Sequence, residues 1–515
     1  MPRPHRDRVD RHAAAERTRP GDAERTRPGH ADRARPGDVE LPGQMTSAER
    51  RAALIEKLAG LPPERRAALL RSLGGAQRDP GGQEWPLSPG QERLWFLSRF
   101  DPGDTSYNTP WCMRLRGPLD VAALTAAFTR IVARHEVLRT RFRLRGDAPV
   151  QVVLPPGPVP VERLAVSGET DLDRVLKEFV ERPFDLENAP PLRVGLAEAG
   201  EDDAVVCIVL HHIVMDGWSL DVLLRELTEC YAAGREGREP ELPDLPTQYP
   251  RFAVQERRRD HTEGLAHWTS RLAGAPALDL PADRPRPARW SGRGGREELL
   301  LPPDEITPLE KVARKRRCTS FMALVAAYQA TLALASGQTD FCVGVPVAGR
   351  SRSELTPLIG YFGNTMVLRA DLSGDPSFHE LLDRVREATL AGMRHAEVPF
   401  EHVLAALRVP RDISRPPLCQ AMFNLHNLPK DDLLGTRMAD LDREVYVVPP
   451  SHTKSEVSMD LWRGPEGLGG VFDYSSDLFT PAAARRLLGG FAEVVRRAGA
   501  DPDLPLSALG GPFPK

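Results

Sequence analysis

The sequence has no paired cysteines, few lysines, no long apolar run and no excess of charge. All of these but the lysine shortage remove a class of protein. Its six cysteines, Cys112, Cys207, Cys230, Cys318, Cys342 and Cys419, are scattered, with no CxxC pair and no zinc-ligand spacing. Neither a disulfide-framed secreted module nor a zinc module is expected, and no metal. Basic and acidic residues number 69 and 72, a net charge of −3, so no global positive field exists to displace counterions from nucleic acid. The longest apolar stretch, 321–335, contains Gln329 and Thr331 and is too short to span a bilayer. The N-terminus carries arginines but no apolar core of a secretory signal. A soluble cytoplasmic protein is expected, with neither nucleic acid nor membrane as partner. Only 7 of the 69 basic residues are lysine; with 49 prolines and 42 glycines this reads as high-GC coding bias without functional meaning. What remains is 515 residues, 41% hydrophobic and 27% charged, a globular composition at a length that suits two large lobes.

Residues 1–44 repeat an eight-residue unit, ERTRPGDA, ERTRPGHA, DRARPGDV, with a Pro-Gly in each copy and almost no large apolar side chains. Such a segment cannot offset its ordering entropy and is expected to be disordered, either a tether or translated upstream sequence with Met45 as the start. Residues 45–80 hold a short duplication, ERRAALIEKLAG and ERRAALLRSLGG, broken by Leu61-Pro62-Pro63. Leu54, Leu58, Leu69 and Leu73 fall at helical spacing, which predicts a helical hairpin, a docking element or a brace. From residue 85 strand-like and helix-like segments alternate: strands at 113–115, 138–144 and 204–210, helices at 120–133, 173–181 and 220–231. A Pro/Arg-rich stretch, 274–290, interrupts the pattern. It then resumes with helices at 319–335, 378–393 and 400–407 and a strand at 341–345. This grammar predicts an α/β protein of two lobes, 85–265 and 266–515.

The run VVCIVLHHIVMDGWS (205–219) concentrates the polar chemistry. Its β-branched residues predict a strand buried on both faces, ending in His211 and His212, with Asp216 and Gly217 just beyond. Ser219 is placed to cap the helix that follows. A zinc pair would need helical i,i+4 spacing and a further ligand, and neither is present. A lone histidine in an apolar run is most often a core residue. Two histidines, an acid and a glycine clustered at one strand end favour function.

At these residues a family resemblance emerges. HHIVMDG (211–217) resembles the HHxxxDG signature of nonribosomal peptide synthetase condensation domains, relatives of chloramphenicol acetyltransferase. Further blocks follow in family order: SPGQERLW (88–95), RHEVLRTRF (134–142), IGYFGNT (359–365), PFE (399–401) and RDISRPPLCQ (411–420). The YxDYAVWQ block survives only as YPRFAVQE (249–256), and HQDxPFE as HAEVPFE (395–401), which bears on subtype and partner fit. The resemblance covers residues 85 to 500. It implies two chloramphenicol-acetyltransferase-like lobes in a V-shaped pseudo-dimer with a central tunnel.

It also implies a chemistry. A carrier-protein-bound acyl or aminoacyl thioester would enter one side and an amine the other, forming an amide, with no acyl-enzyme. His212 would be catalytic, as base or positioning group. Asp216 would pair with Arg139 to tie two segments of one lobe together, Gly217 would admit close backbone approach, His211 would pack on the opposite face, and Asn364 with Thr365 would serve the tunnel. No cofactor would be bound by this chain, the phosphopantetheine thioester residing on the partner carrier. Neither an adenylate-forming loop nor a carrier LGGxS serine is found, which predicts a free-standing enzyme acting in trans on peptidyl or acyl carriers, with a carrier-bound or small soluble acceptor. The alternatives are ester formation with a hydroxyl acceptor, a coenzyme-A-dependent acyltransferase, and a silent recruitment domain. The last is disfavoured by the intact histidine signature. Heterocyclisation and epimerisation fit the blocks less well, and L-configured or simple acyl donors fit better.

Overall fold

The computed structural model describes residues 82–409, 412–426 and 437–510. The repeat at 1–44 and the hairpin expected over 45–80 lie outside the described residues. The first half runs β1 (Gln83–Pro86), α1 (Pro89–Phe100), β2 (Asn108–Arg116), α2 (Val121–Arg134), β3 (Thr140–Arg145), β4 (Ala148–Val153), β5 (Val161–Leu164), α3 (Glu169–Val180), β6 (Leu192–Gly200), β7 (Asp203–His211), α4 (Gly217–Glu236), α5 (Tyr249–Arg257) and α6 (Thr262–Leu272). The second continues with β8 (Gly294–Leu301), α7 (Pro303–Lys315), α8 (Ser320–Ser336), β9 (Asp340–Val347), β10 (Asn364–Asp371), α9 (Phe378–Arg394), α10 (Phe400–Leu407), β11 (Ala421–His426), β12 (Arg437–Met438), β13 (Leu441–Tyr446), β14 (Val457–Gly464), β15 (Gly467–Ser475), α11 (Pro481–Ala500) and α12 (Leu506–Leu509). The strands form two six-stranded sheets, β12-β13-β2-β7-β6-β5 and β10-β9-β11-β14-β15-β8, and a three-stranded sheet, β1-β4-β3.

Strand β7 is central in its sheet, and its alternation explains its unbroken apolar run. Val206, Ile208 and Leu210 enter the main core of the first half. Val205, Cys207 and Val209 face the other way, under Leu172, Leu176 and Phe179 of α3. Helix α2 starts where the Asp120 side chain accepts the Ala123 N–H, and it buries Leu124, Ala127, Phe128 and Ile131. The apolar helix expected at 319–335 is α8, whose Met322–Ala333 stretch is wholly buried in the second core. Among the described residues no single helix is long and apolar enough to cross a membrane.

The two halves are less separate than their order along the chain suggests. Residue 265, the expected end of the first lobe, falls inside α6, whose Trp268 and Leu272 belong to the second core, while Tyr249 and Phe252 of α5 belong to the first. The change of core comes at the non-helical break between α5 and α6. Two later segments cross back. Leu355, Leu358, Ile359 and Phe362 pack into the first core. Strand β13 pairs antiparallel with β2, from Asp442 opposite Arg116 to Tyr446 opposite Cys112. The Pro/Arg-rich stretch lies on the second half, with Leu278 and Leu280 buried and Arg286 gripping the buried Glu456 at 2.7 and 3.0 Å.

Leu441 is fully buried in the first core although it lies in the second half of the chain. Leu441→Ala is expected to cost ~2–5 kcal/mol, read as a lower urea midpoint. Hydrogen exchange should show weakened protection in β2 of the first half.

Candidate active site

Strand β7 ends at His211, a short 3-10 turn covers His212–Val214, and α4 begins at Gly217. The His211 side chain is buried beside the Tyr107 and Phe184 rings, at centroid distances of 6.2 and 6.1 Å. Its Nδ1 accepts the Ile213 N–H at 3.1 Å, so that nitrogen carries no proton. Burial pushes its pKa down to about 3. His211 is thus a neutral packing residue.

His212 is built differently. Its backbone N–H donates to the Tyr107 carbonyl at 2.8 Å, fastening the turn to the start of β2. Its Nδ1 lies 2.7 Å from the Met215 carbonyl oxygen. A carbonyl only accepts, so Nδ1 bears the proton, and in the neutral ring Nε2 keeps its lone pair. The Tyr361 ring stands edge-on at 5.0 Å. Burial, then the positive charge of Lys454, push the imidazole well below its usual pKa. His212 is partly exposed, in one tautomer, with one nitrogen ready to accept.

Asp216 fixes this turn. Its Oδ1 accepts the Ser219 N–H (2.8 Å), the Ser219 hydroxyl (2.7 Å) and Arg350 Nη2 (3.0 Å), and its Oδ2 accepts the N–H groups of Phe362 (3.0 Å) and Gly363 (3.1 Å). Asp216 is therefore the cap of α4. Ser219, expected in that role, lies inside the helix as one of the groups Asp216 receives. The arginine expected opposite Asp216 is also different. Arg139 donates to the Leu154 carbonyl and sits 3.9 Å from Glu136. The partner is Arg350, 2% exposed, which also donates to the Leu355 and Leu358 carbonyls and lies over the Phe362 ring at 4.1 Å. Arg139 is held by its own neighbours, whereas the 348–363 loop delivers Arg350 from the other half of the chain. That loop needs Gly349: its φ is +63°, and a Cβ there would lie 1.9 Å from the Phe362 carbonyl oxygen.

Gly217 sits on the exposed first turn of α4, and a Cβ there would meet no protein atom within 4 Å. The fold itself does not require glycine at this position. Asn364 is a staple. Its Nδ2 donates to the Ala396 (2.8 Å) and Val398 (2.6 Å) carbonyls, and its Oδ1 accepts the Phe400 N–H (3.0 Å), so it ties the turn between α9 and α10 to the start of β10 rather than presenting a free amide. Thr365 follows it on β10, opposite Pro346. His135 is buried between Glu226, 2.8 Å from its Nε2, and the Ile359 N–H, 3.4 Å from its Nδ1. Sequence reasoning missed Arg350, Tyr107, Tyr361 and Lys454. Of these, Tyr361 lay inside a recognised block, and the Gly349-Arg350 pair was the one local sign of a constrained turn.

Comparisons with known proteins agree on one family. A model of the condensation domain matches residues 82–511. A linear gramicidin synthase of Brevibacillus parabrevis is 38% identical over 445 residues, covering 84% of this chain but 6% of that protein. Phosphinothricin tripeptide synthetase PhsC of Streptomyces viridochromogenes is 34% identical, covering 82% of this chain and 40% of that one. The chain thus spans a minor part of the length of these relatives. Among solved structures, the X-domain from teicoplanin biosynthesis is 30% identical with a TM-score of 0.76, covering 84% of this chain and 98% of that one. It has also been solved in complex with OxyB. SgcC5 from Streptomyces globisporus, in complex with a naphthyl ethanediol and sucrose, is 27% identical with a TM-score of 0.67, covering 82% of this chain and 100% of that one.

The charges of the site can be tested in two ways. Arg350→Met strips a buried carboxylate of its cation and is expected to cost ~3–5 kcal/mol; Arg139→Ala should cost clearly less in the same urea titration. Equal losses would return the pairing role to Arg139. For pH, the unfolded chain protonates both histidines near 6.5, while folded His211 resists to about 3 and His212 to well below its usual value. Their contribution to stability is complete above pH 6.5 and falls on acidification, for His211 by up to about 1.4 kcal/mol per pH unit. His211→Asn, which keeps an acceptor for Ile213, should flatten the stability profile between pH 6.5 and 4.5.

Proposed function

The chain belongs to the condensation-domain family, and on that premise we propose that it joins a carrier-bound acyl or aminoacyl thioester to an amine, forming an amide. The observation that carries this reading is the bare Nε2 of His212, fixed by the Nδ1–Met215 hydrogen bond. The acceptor nitrogen donates a hydrogen bond to Nε2 while attacking the thioester carbonyl. The C–N bond forms, the C–S bond breaks, and the proton passes by way of Nε2 to the departing thiolate. An imidazole with so low a pKa stores a proton poorly, which favours orienting the amine and relaying its proton over holding a stable imidazolium. The exposed backbone at the start of α4, at Gly217, is assigned a role in stabilising the developing oxyanion. Asp216 and Arg350 position the turn and do not touch substrate.

The donor and acceptor are assigned to opposite sides of a tunnel between two lobes in a V-shaped arrangement. Phosphopantetheine arrives on the partner carrier, and the carrier is read as acting in trans. The diol bound by SgcC5 favours a second reading, a hydroxyl acceptor and an ester product. The likeness to the X-domain keeps a recruitment role in view, but the tautomer fixed at His212 is what turnover would need.

The test is intact-mass analysis of a donor-loaded carrier protein given amine and alcohol acceptors. Product that requires the carrier and is lost at least ~100-fold in His212→Ala, with an unchanged melting temperature, is the expected result. Product mass separates amide from ester. Turnover of acyl-coenzyme A without carrier would place the enzyme among general acyltransferases. Full activity in His212→Ala would overturn the assignment.

A further inference from the structure

Strand β7, which delivers the catalytic turn, also carries Cys207. In the β2–β7 ladder Cys207 stands directly opposite Cys112, with the two sulfur atoms 3.0 Å apart. Both side chains are buried, at 0% and 3% exposure, and both are free thiols. The registered pairing and sulfur contact satisfy the close approach that a disulfide demands, short of about 1 Å of further approach. The acyl-transfer reading uses neither residue.

We propose that Cys112 and Cys207 are an oxidation site, converted by a peroxide-class oxidant into a cross-strand disulfide. One thiolate attacks the peroxide: an S–O bond forms, the O–O bond breaks, and hydroxide leaves and is protonated to water. The second sulfur then attacks the sulfenic sulfur, forming S–S and releasing the oxygen as water. Two thiols supply two electrons, and one peroxide becomes two waters.

The position gives the bond a consequence. Asn108, four residues before Cys112, faces His211, four residues after Cys207, and the neighbouring Tyr107 carbonyl holds the His212 N–H. The disulfide therefore locks the register of the two strands from which the catalytic turn hangs, and closes a long loop that constrains the unfolded chain. Access is limited. Leu172, Leu176 and Phe179 of α3 cover the pair. The hydrogen bond shared with Cys207, then burial, also hold the Cys112 thiol well above its usual pKa. Oxidation thus requires α3 to lift from the sheet, a local opening far smaller than unfolding.

The full chain is treated with hydrogen peroxide, then quenched with N-ethylmaleimide in denaturant and weighed intact. The expected result is four alkylated cysteines of the six, with the other two joined in a reducible peptide pair containing Cys112 and Cys207. Formation should accelerate in urea below the unfolding transition. The oxidised protein should melt higher until reductant is added. Cys112→Ala should show no disulfide-linked peptide pair after the same treatment. Six alkylations in the wild type would overturn the proposal, as would a link between any other cysteines or sulfinic acid at Cys207 without a link.

Discussion

One carboxylate holds the candidate site together. Asp216 takes five hydrogen bonds, three of them from backbone N–H groups, and faces a guanidinium that is itself almost fully enclosed. A buried ionised acid is costly unless donors replace its lost water, and here they do. The same oxygens begin α4, close the loop after Gly349 and seat Phe362 in the first core. Between β7 on one side and Asp216 on the other, the His212 turn has no freedom left in its backbone. Its ring needs one further contact, the Met215 carbonyl, to select a tautomer.

Much of what resembles the family signature proves to be wiring toward that turn. Gln91 of α1 donates to the Ile213 carbonyl at 3.3 Å. Ser88 meets the Tyr249 hydroxyl at 2.9 Å, and Tyr249 donates to the Tyr361 carbonyl at 2.7 Å. Gly360 lies so close to the Tyr249 ring that a Cβ there would approach to 2.1 Å. Arg93 reaches Glu401 at 3.1 Å, joining the first block to the PFE block across the two halves. Trp95 donates to the Phe142 carbonyl at 3.1 Å. The blocks at 88–95, 134–142, 249–256, 359–365 and 399–401 meet in space through such struts, while Nε2 of His212 is left to accept.

The readable parts of the sequence were the local ones. The apolar run of β7, the helical stripe of α8 and the break into the histidine turn each follow from neighbours within a few residues, and the α/β grammar carried over. The fold class and the position of His212 come from such patterns plus the order of the blocks. Long-range choices were not legible. Nothing near Asp216 tells Arg139 from Arg350, since both are arginines in turns and only the folded loop decides. Ser219 and Asp216 are equally good caps on paper, and the start of α4 two residues before Ser219 settled the matter. Asn364 looked like a pocket amide because its partners, the carbonyls of 396 and 398, have no side-chain signature. Strand β13 was invisible for the same reason: its pairing partner, β2, lies in the other half of the chain.

That pairing has a bearing on how the protein is made. Strand β2 ends at Arg116 and its outer neighbour β13 begins at Leu441, so their partnership spans most of the described chain. A ribosome adding about 5–20 residues per second needs on the order of tens of seconds to cover that distance. From the completion of β7 until β13 emerges, the first sheet holds β2, β7, β6 and β5 but has an open side, with the outer backbone N–H and C=O groups of β2, the neighbour of the catalytic strand, awaiting a partner. The nascent protein is therefore most vulnerable to edge-to-edge association late in synthesis, after the histidine turn has emerged and before its sheet is closed.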